Sequence, residues 1–258
     1  VINIITRQQL KSNRNSEVSA RWARHNNRRV DVNLGYNLKK FTHIVTMHHD
    51  AQEEYALQNP ENVALFTTYS VNHVPGQRVW QLKDRWIWSP SQHFRLSARA
   101  GYFFRQQDQD ATQANRYRDF VGGAKAEWTV SPQTRLELAY NFDQYDKSDL
   151  ILSTQKDLRD YSNVQHATRA LLSHDIAHLL PTDLGFTLTV GGDYLRDYLM
   201  SYQFGGQSHV QHSADAFAQA DWTLSPQWEI LGALRYDHFS QGEHAHVTSK
   251  ISARFRQG

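Results

Sequence analysis

The stretch DWTLSPQWEILGALRYDH, Asp221 to His238, alternates polar and apolar residues, breaks at Ser225-Pro226, and alternates again. At a period of two, Ile230, Gly232, Leu234 and Tyr236 share one face. Glu229, Leu231, Ala233, Arg235 and Asp237 share the other. Proline fixes φ and carries no N–H, so it marks the turn between two strands. The pattern recurs in RWIWSPSQHFRLSARAGYFF, AEWTVSPQTRLELAYNF and HLLPTDLGFTLTVGGDY. Prolines 90, 132, 181 and 226 come about every 42 to 50 residues, room for two long strands and a longer connection. Clean alternation lasts eight to twelve residues, as in Phe94–Arg105 and Arg135–Phe142. Strands of soluble proteins are usually about 5–6 residues long, whereas a tilted strand crossing a bilayer needs about 9–11.

Aromatic placement sharpens this. Trp88, Trp128, Trp222 and Trp228 sit beside the turns, and Tyr102, Phe104, Phe142, Tyr194 and Tyr236 sit at the opposite strand ends. Two aromatic bands with small and aliphatic residues between them suit the two interfaces of a membrane. A soluble β-sandwich is the competing reading of the same alternation. Mean hydropathy is −0.67, and no apolar run approaches the roughly 18 residues of a membrane helix. A barrel needs apolar residues only at alternate positions. Net charge is +2 in 258 residues, which gives no support for nucleic-acid binding. With no cysteine, disulfides and cysteine zinc sites are excluded. The opening VINIITRQQ has no initiator Met and no leader pattern, so the chain is expected to be a piece of a longer one.

The expected fold class is all-β, a transmembrane antiparallel β-barrel of about twelve strands. The strands fall near 16–26, 29–38, 41–49, 77–88, 92–106, 116–130, 134–145, 163–178, 184–201, 212–224, 227–240 and 246–256. Longer polar segments are expected at about 50–76, 107–115, 146–162 and 202–211. Short turns at one end and long loops at the other is the asymmetry of outer-membrane barrels.

These residues resemble the TonB-dependent outer-membrane receptors. VINIIT, Val1 to Thr6, is similar to the strand that closes their plug domain. FAQADWTLSPQWEILGALRYDHFSQGEHAHVTSKISARFRQG, Phe217 to Gly258, is similar to a mid-barrel segment, departing at Ser249 (usually Pro) and Phe255 (commonly Tyr). The resemblance implies that residues 1–10 end a plug domain and that 11–258 form part of a plugged barrel of about 22 strands. It implies a cell outer membrane of a Gram-negative bacterium, outer-membrane lipid around the wall, and a TonB complex acting through the plug. It also implies energised uptake of an iron complex, haem or siderophore, or of cobalamin. A passive porin and a structural or adhesive barrel are the alternatives. No resident cofactor and no catalysis are expected. No Gly-x-Ser-x-Gly, phosphate loop or His-Glu-x-x-His is present, and no motif brings a Ser–His pair together.

Charges on the face away from lipid are Arg21, Arg95, Arg99, Lys125, Glu127, Arg135, Glu137, Asp143 and Arg235. They line water in a porin, or meet the plug in a receptor. Fourteen histidines are many for this length. Those expected toward the extracellular side include His48, His49, His73, His209, His212, His244 and His246. Imidazole is a ligand of iron and of haem, which makes these candidates for cargo binding. Crowding of residues into loops accounts for the same distribution. Tyr69 and Tyr202, with Tyr55, Phe66, Tyr145, Tyr161 and Phe204, are candidate stacking surfaces.

Overall fold

The computed structural model describes residues 12–56, 73–176, 185–242 and 244–256. Strands β1 (Arg14–Ala23), β2 (Asn27–Leu38) and β3 (Phe41–Gln52) come first. The two-residue strands β4 (Tyr55–Ala56) and β5 (His73–Val74) pair with each other. Then follow β6 (Gln77–Trp88), β7 (Phe94–Asp108), β8 (Gln113–Ser131), β9 (Thr134–Ile151), β10 (Lys156–Asp175), β11 (Phe186–Ser201), β12 (Ser208–Thr223), β13 (Trp228–Phe239) and β14 (Ala245–Phe255). Apart from β4 and β5, each strand pairs antiparallel with the next, giving one 12-stranded meander in chain order.

Opposite residues share a face, so the register carries the sequence alternation across the whole sheet. Among the described residues only Ala51, Ile87, Ala114 and Leu150 are buried apolar side chains. Large apolar groups stay open instead: Leu138 is 49% exposed and Leu234 56%. A sheet this large with an uncovered apolar face is built for a non-aqueous surrounding on that side.

The apolar face is banded. Phe94 and Tyr102, Trp128 and Phe120, Phe186 and Tyr194, and Trp228 and Tyr236 are same-face pairs eight residues apart on their strands. Eight residues span about 26 Å along a strand, or about 20 Å along the membrane normal at ~40° tilt, near the ~25 Å apolar height of such barrels. Rings meet along each band. At the turn end Trp88 lies 6.0 Å from Phe94, and Trp228 5.0 Å from Phe255. At the far end Tyr102 lies 4.8 Å from Phe120. Between the bands β7 to β13 present only aliphatic, small or hydroxyl groups, such as Leu96, Ala98 and Ala100 on β7 and Ala216, Ala218 and Ala220 on β12.

The turns explain where strands stop. In the Ser225 turn the serine Oγ accepts from the N–H groups of Gln227 and Trp228, at 3.2 and 3.1 Å. Ser131 Oγ accepts likewise from Gln133 N–H at 3.3 Å. β1 ends at Ala23, short of the expected residue 26, because His25 and Asn26 take φ of 57° and 50° in a two-residue reverse turn closed by Asn27 N–H to Arg24 O. The Pro181 turn lies outside the described residues.

Two expected loops are strand instead. β8 begins at Gln113, β9 runs on to Ile151 and β10 starts at Lys156, so the connections shrink to 109–112 and 152–155. Polar cross-strand bonds sustain these extensions beyond the far aromatic band. Ser162 Oγ donates to the buried Asp146 at 2.6 Å. Asp157 accepts from Arg118 and, at 3.1 Å, from Arg116 Nη1.

Candidate functional site

The polar face is a wall of charges paired across strands. Lys125 on β8 donates to Glu127 at 3.1 Å and to Glu137 of β9 at 2.8 Å. Arg95 Nε lies 3.9 Å from Glu127, and Arg99 donates to Asn141 at 3.0 Å. Arg169 of β10 grips Asp193 of β11 through two bonds, 2.6 and 2.8 Å. Arg235 of β13 holds Asp237 at 2.8 Å and reaches across to Asp215 of β12 at 2.9 Å. Arg135 stands opposite Ser173 on the same face. Sequence alone does not single out Arg169, Asp193 and Asp215. Their signal was an ionisable residue at the polar phase of three successive strands, which becomes a cluster once the register is known.

Toward the end opposite the Ser-Pro turns the same wall turns aromatic. Tyr117, Lys147 and Tyr161 stand in one row across β8, β9 and β10, with Tyr145 one step below, 5.8 Å from Tyr161 ring to ring. Lys147 donates to Asp160 at 2.7 Å, and that bond raises its pKa. Burial, followed by the nearby Tyr117, raises that of the Tyr145 hydroxyl. The row lies beyond the far aromatic band and joins phenol rings to a held cation.

The candidate histidines divide between the faces. His48 lies on the polar face, Nδ1 2.6 Å from Asp31. His49, the next residue, lies on the apolar face, stacked 3.9 Å from Trp80. His212 is on the apolar face too, Nδ1 2.8 Å from the Tyr194 hydroxyl. His209 meets Phe204 edge-on at 6.3 Å. His246 stands opposite Asp237, and His244 lies in the preceding turn, Nδ1 3.3 Å from Phe239 O. Tyr202 opens a single 3₁₀ turn and is 64% exposed. His73 is in β5, and Tyr69 lies outside the described residues. Among the described residues no three His, Asp or Glu side chains converge as a metal site.

A single antiparallel meander, apolar and ring-banded on one face and charge-paired on the other, defines the wall of a transmembrane β-barrel. The sequence matches the model of the TonB dependent receptor-like β-barrel family over residues 7–257, and the chain belongs to that family. Among solved structures it is similar to the siderophore receptor PirA from Acinetobacter baumannii, at 12% identity and a TM-score of 0.65, over 93% of this chain and 40% of that one. A variant of the ferric enterobactin receptor PfeA from Pseudomonas aeruginosa, crystallised with enterobactin, is similar at 12% identity and a TM-score of 0.64, over 92% and 41%. The RagAB peptide transporter is similar at 6% identity and a TM-score of 0.64, over 89% and 34%. No curated protein matches in sequence. At these identities the likeness is one of fold, and the chain spans about two fifths of the receptors' length.

Proposed function

We propose that the chain is about the first half of the barrel wall of a TonB-dependent receptor in the outer membrane of a Gram-negative bacterium. The receptor takes up an iron chelate, with a siderophore favoured over haem or cobalamin. The family match over residues 7–257 carries this reading. It is supported by likeness to receptors whose ligands are siderophores. Residues 1–10 close the plug, and Arg95, Arg99, Arg135, Glu137 and Arg235 line the lumen against it. Paired charges suit that role, since each guanidinium or carboxylate keeps further hydrogen-bonding capacity for a packed domain. Ligand contact falls to the end of the polar face opposite the Ser-Pro turns: His48, His209 and His246, with Tyr202 and His244 at the rim. His49 and His212 face the other way and are not assigned to it. The protein is a transport receptor rather than an enzyme.

The test uses the full-length protein in detergent. Ferric enterobactin is titrated against intrinsic fluorescence and haemin against its Soret band. Saturation by the catecholate at nanomolar to micromolar concentration is expected. A Soret shift abolished by replacing His48, His209 and His246 would move the reading to haem. Linear ion conductance in planar bilayers with no saturable binding would make it a porin.

A further inference from the structure

Immediately beyond the far aromatic band, the apolar face carries an arrangement that transport through the lumen does not use. His166, Arg196 and His212 stand directly opposite one another on β10, β11 and β12. All three are half-buried. Each imidazole is fixed by a tyrosine of the band. The Tyr140 hydroxyl lies 2.8 Å from His166 Nδ1, and the Tyr194 hydroxyl 2.8 Å from His212 Nδ1. With the hydroxyl donating to Nδ1, the ring proton sits on Nε2, which becomes a donor. Arg196 between them is always charged. Phe142 continues this row on β9, and the adjoining rows of the face hold Gln144, Val164, Tyr198 and Val210 on one side and Tyr140, Thr168, Tyr194 and Ala214 on the other. None is a carboxylate, unlike the surroundings of Arg169 or Arg235.

Below this row the two tyrosines roof an apolar groove of about 540 Å³, floored by Ala124, Ala170 and Gly192 and walled by Leu96 and Leu138. The groove lies between the aromatic bands, at the depth of the hydrocarbon. A guanidinium flanked by two imidazole donors suits an anion with several oxygens, and Arg meets phosphate through two parallel bonds. A lone arginine at an interface would only extend its head into water. Here the ring on either side is held by a hydroxyl, and an acyl-sized groove opens underneath.

We propose that His166, Arg196 and His212 bind the phosphate of a lipid of the surrounding membrane, whose acyl chain lies in the groove beneath. The site is on the outside of the barrel, separate from the lumen and independent of the transported ligand.

The experiment takes the full-length protein in neutral detergent, delipidated, and titrates it with phosphatidic acid or phosphatidylcholine under native mass spectrometry. Folding is checked by heat-modifiable migration on gels. Phosphatidic acid is expected to bind stoichiometrically and at least tenfold tighter than phosphatidylcholine. Arg196→Gln should lose that preference, His166→Phe and His212→Phe should each weaken binding several-fold, and Arg196→Lys should retain most of it. If Arg196→Gln does not fold, retention by Arg196→Lys and loss in the two histidine variants decide the matter. Equal binding of the two lipids overturns the proposal, as does phosphatidic-acid binding that survives all the substitutions. Competition by millimolar inorganic phosphate as effective as that of the lipid overturns the groove's part in it.

Discussion

His43 of β3 and Asp84 of β6 meet on the apolar face, Nε2 to Oδ1 at 2.6 Å, in the zone where β7 to β13 carry no ionisable side chain. Trp86 stacks on the imidazole at 5.8 Å, and Tyr36 stands opposite His43 on β2. Two groups that lipid would reject are thus tolerated as a pair. A charge at mid-bilayer on a barrel's outer face costs about 2–4 kcal/mol, less for a carboxylate. His43→Leu should therefore lower folding stability by about 2 kcal/mol by leaving Asp84 alone. Replacing both with leucine should restore it or add about 1 kcal/mol. Urea titrations of the full-length protein in lipid vesicles measure both, and a double variant as unstable as the single one would refute the argument.

Arg235 neutralises two carboxylates, Asp215 and Asp237, and with Arg169 balances Asp193 as well. Arg235→Met should destabilise by about 1 kcal/mol, a modest figure because its side chain is 44% exposed and its bonds are screened. Adding Asp215→Asn should recover much of that loss, since the two residues share one contact. The cost of the single change should shrink as salt rises. Insensitivity to salt, or strict additivity of the two changes, would mean that the pair is not coupled.

The aromatic bands set the depth at which the wall sits. In single-tryptophan variants, Trp128 or Trp222 should be quenched best by lipids brominated near the headgroup. Tryptophan placed at Leu138 should be quenched best by lipids brominated near the chain end. The reverse order would place the bands elsewhere than at the interfaces.

Asp110, in the turn between β7 and β8, accepts from the Thr112 hydroxyl at 2.6 Å and from the N–H groups of Thr112 and Gln113 at 2.7 and 3.0 Å. The hydroxyl bond first, then the backbone bonds, hold its carboxyl below the usual carboxylate range. A depressed folded-state pKa means the turn's stabilisation is present above the ordinary carboxylate range and is lost as pH falls through the lowered value. Amide exchange at Thr112 and Gln113, corrected for intrinsic rate, should stay level from neutral pH to the ordinary carboxylate range and rise only below it. In Asp110→Ala it should be high throughout.

β1 and β14 form the two ends of the strand order, each bonded on one side only within the described residues. Lipid does not tolerate unpaired backbone. The chain expressed by itself should fail to insert into vesicles as a heat-resistant species, whereas the full-length protein should insert. Stable insertion of the chain alone would require β1 and β14 to find each other.

Strand number, order and facing were legible because side chains alternate with period two along any strand, whatever lies around it. Residues Asp221 to His238 carried their turn, their bands and both faces in plain order. The extensions of β8, β9 and β10 were not legible. Asp146, Ser148 and Asp157 read as a polar loop until Ser162 returns beside Asp146 on the next strand and Arg116 and Arg118 reach over from β8. The histidines show the same limit. Sequence position put His48 and His49 together as one candidate, and a one-residue step turned them to opposite sides of the wall.

What the sequence determined by itself is the two-faced strand and its membrane-matched length, since these depend only on local order along the chain. What the tertiary structure decided is which charges neutralise one another and which rows form sites. Lys125 with Glu137, Arg235 with Asp215, and His166 with Arg196 and His212 are partners only through the register between strands. That register is fixed by the cooperative pairing of the whole sheet and by no single segment of it.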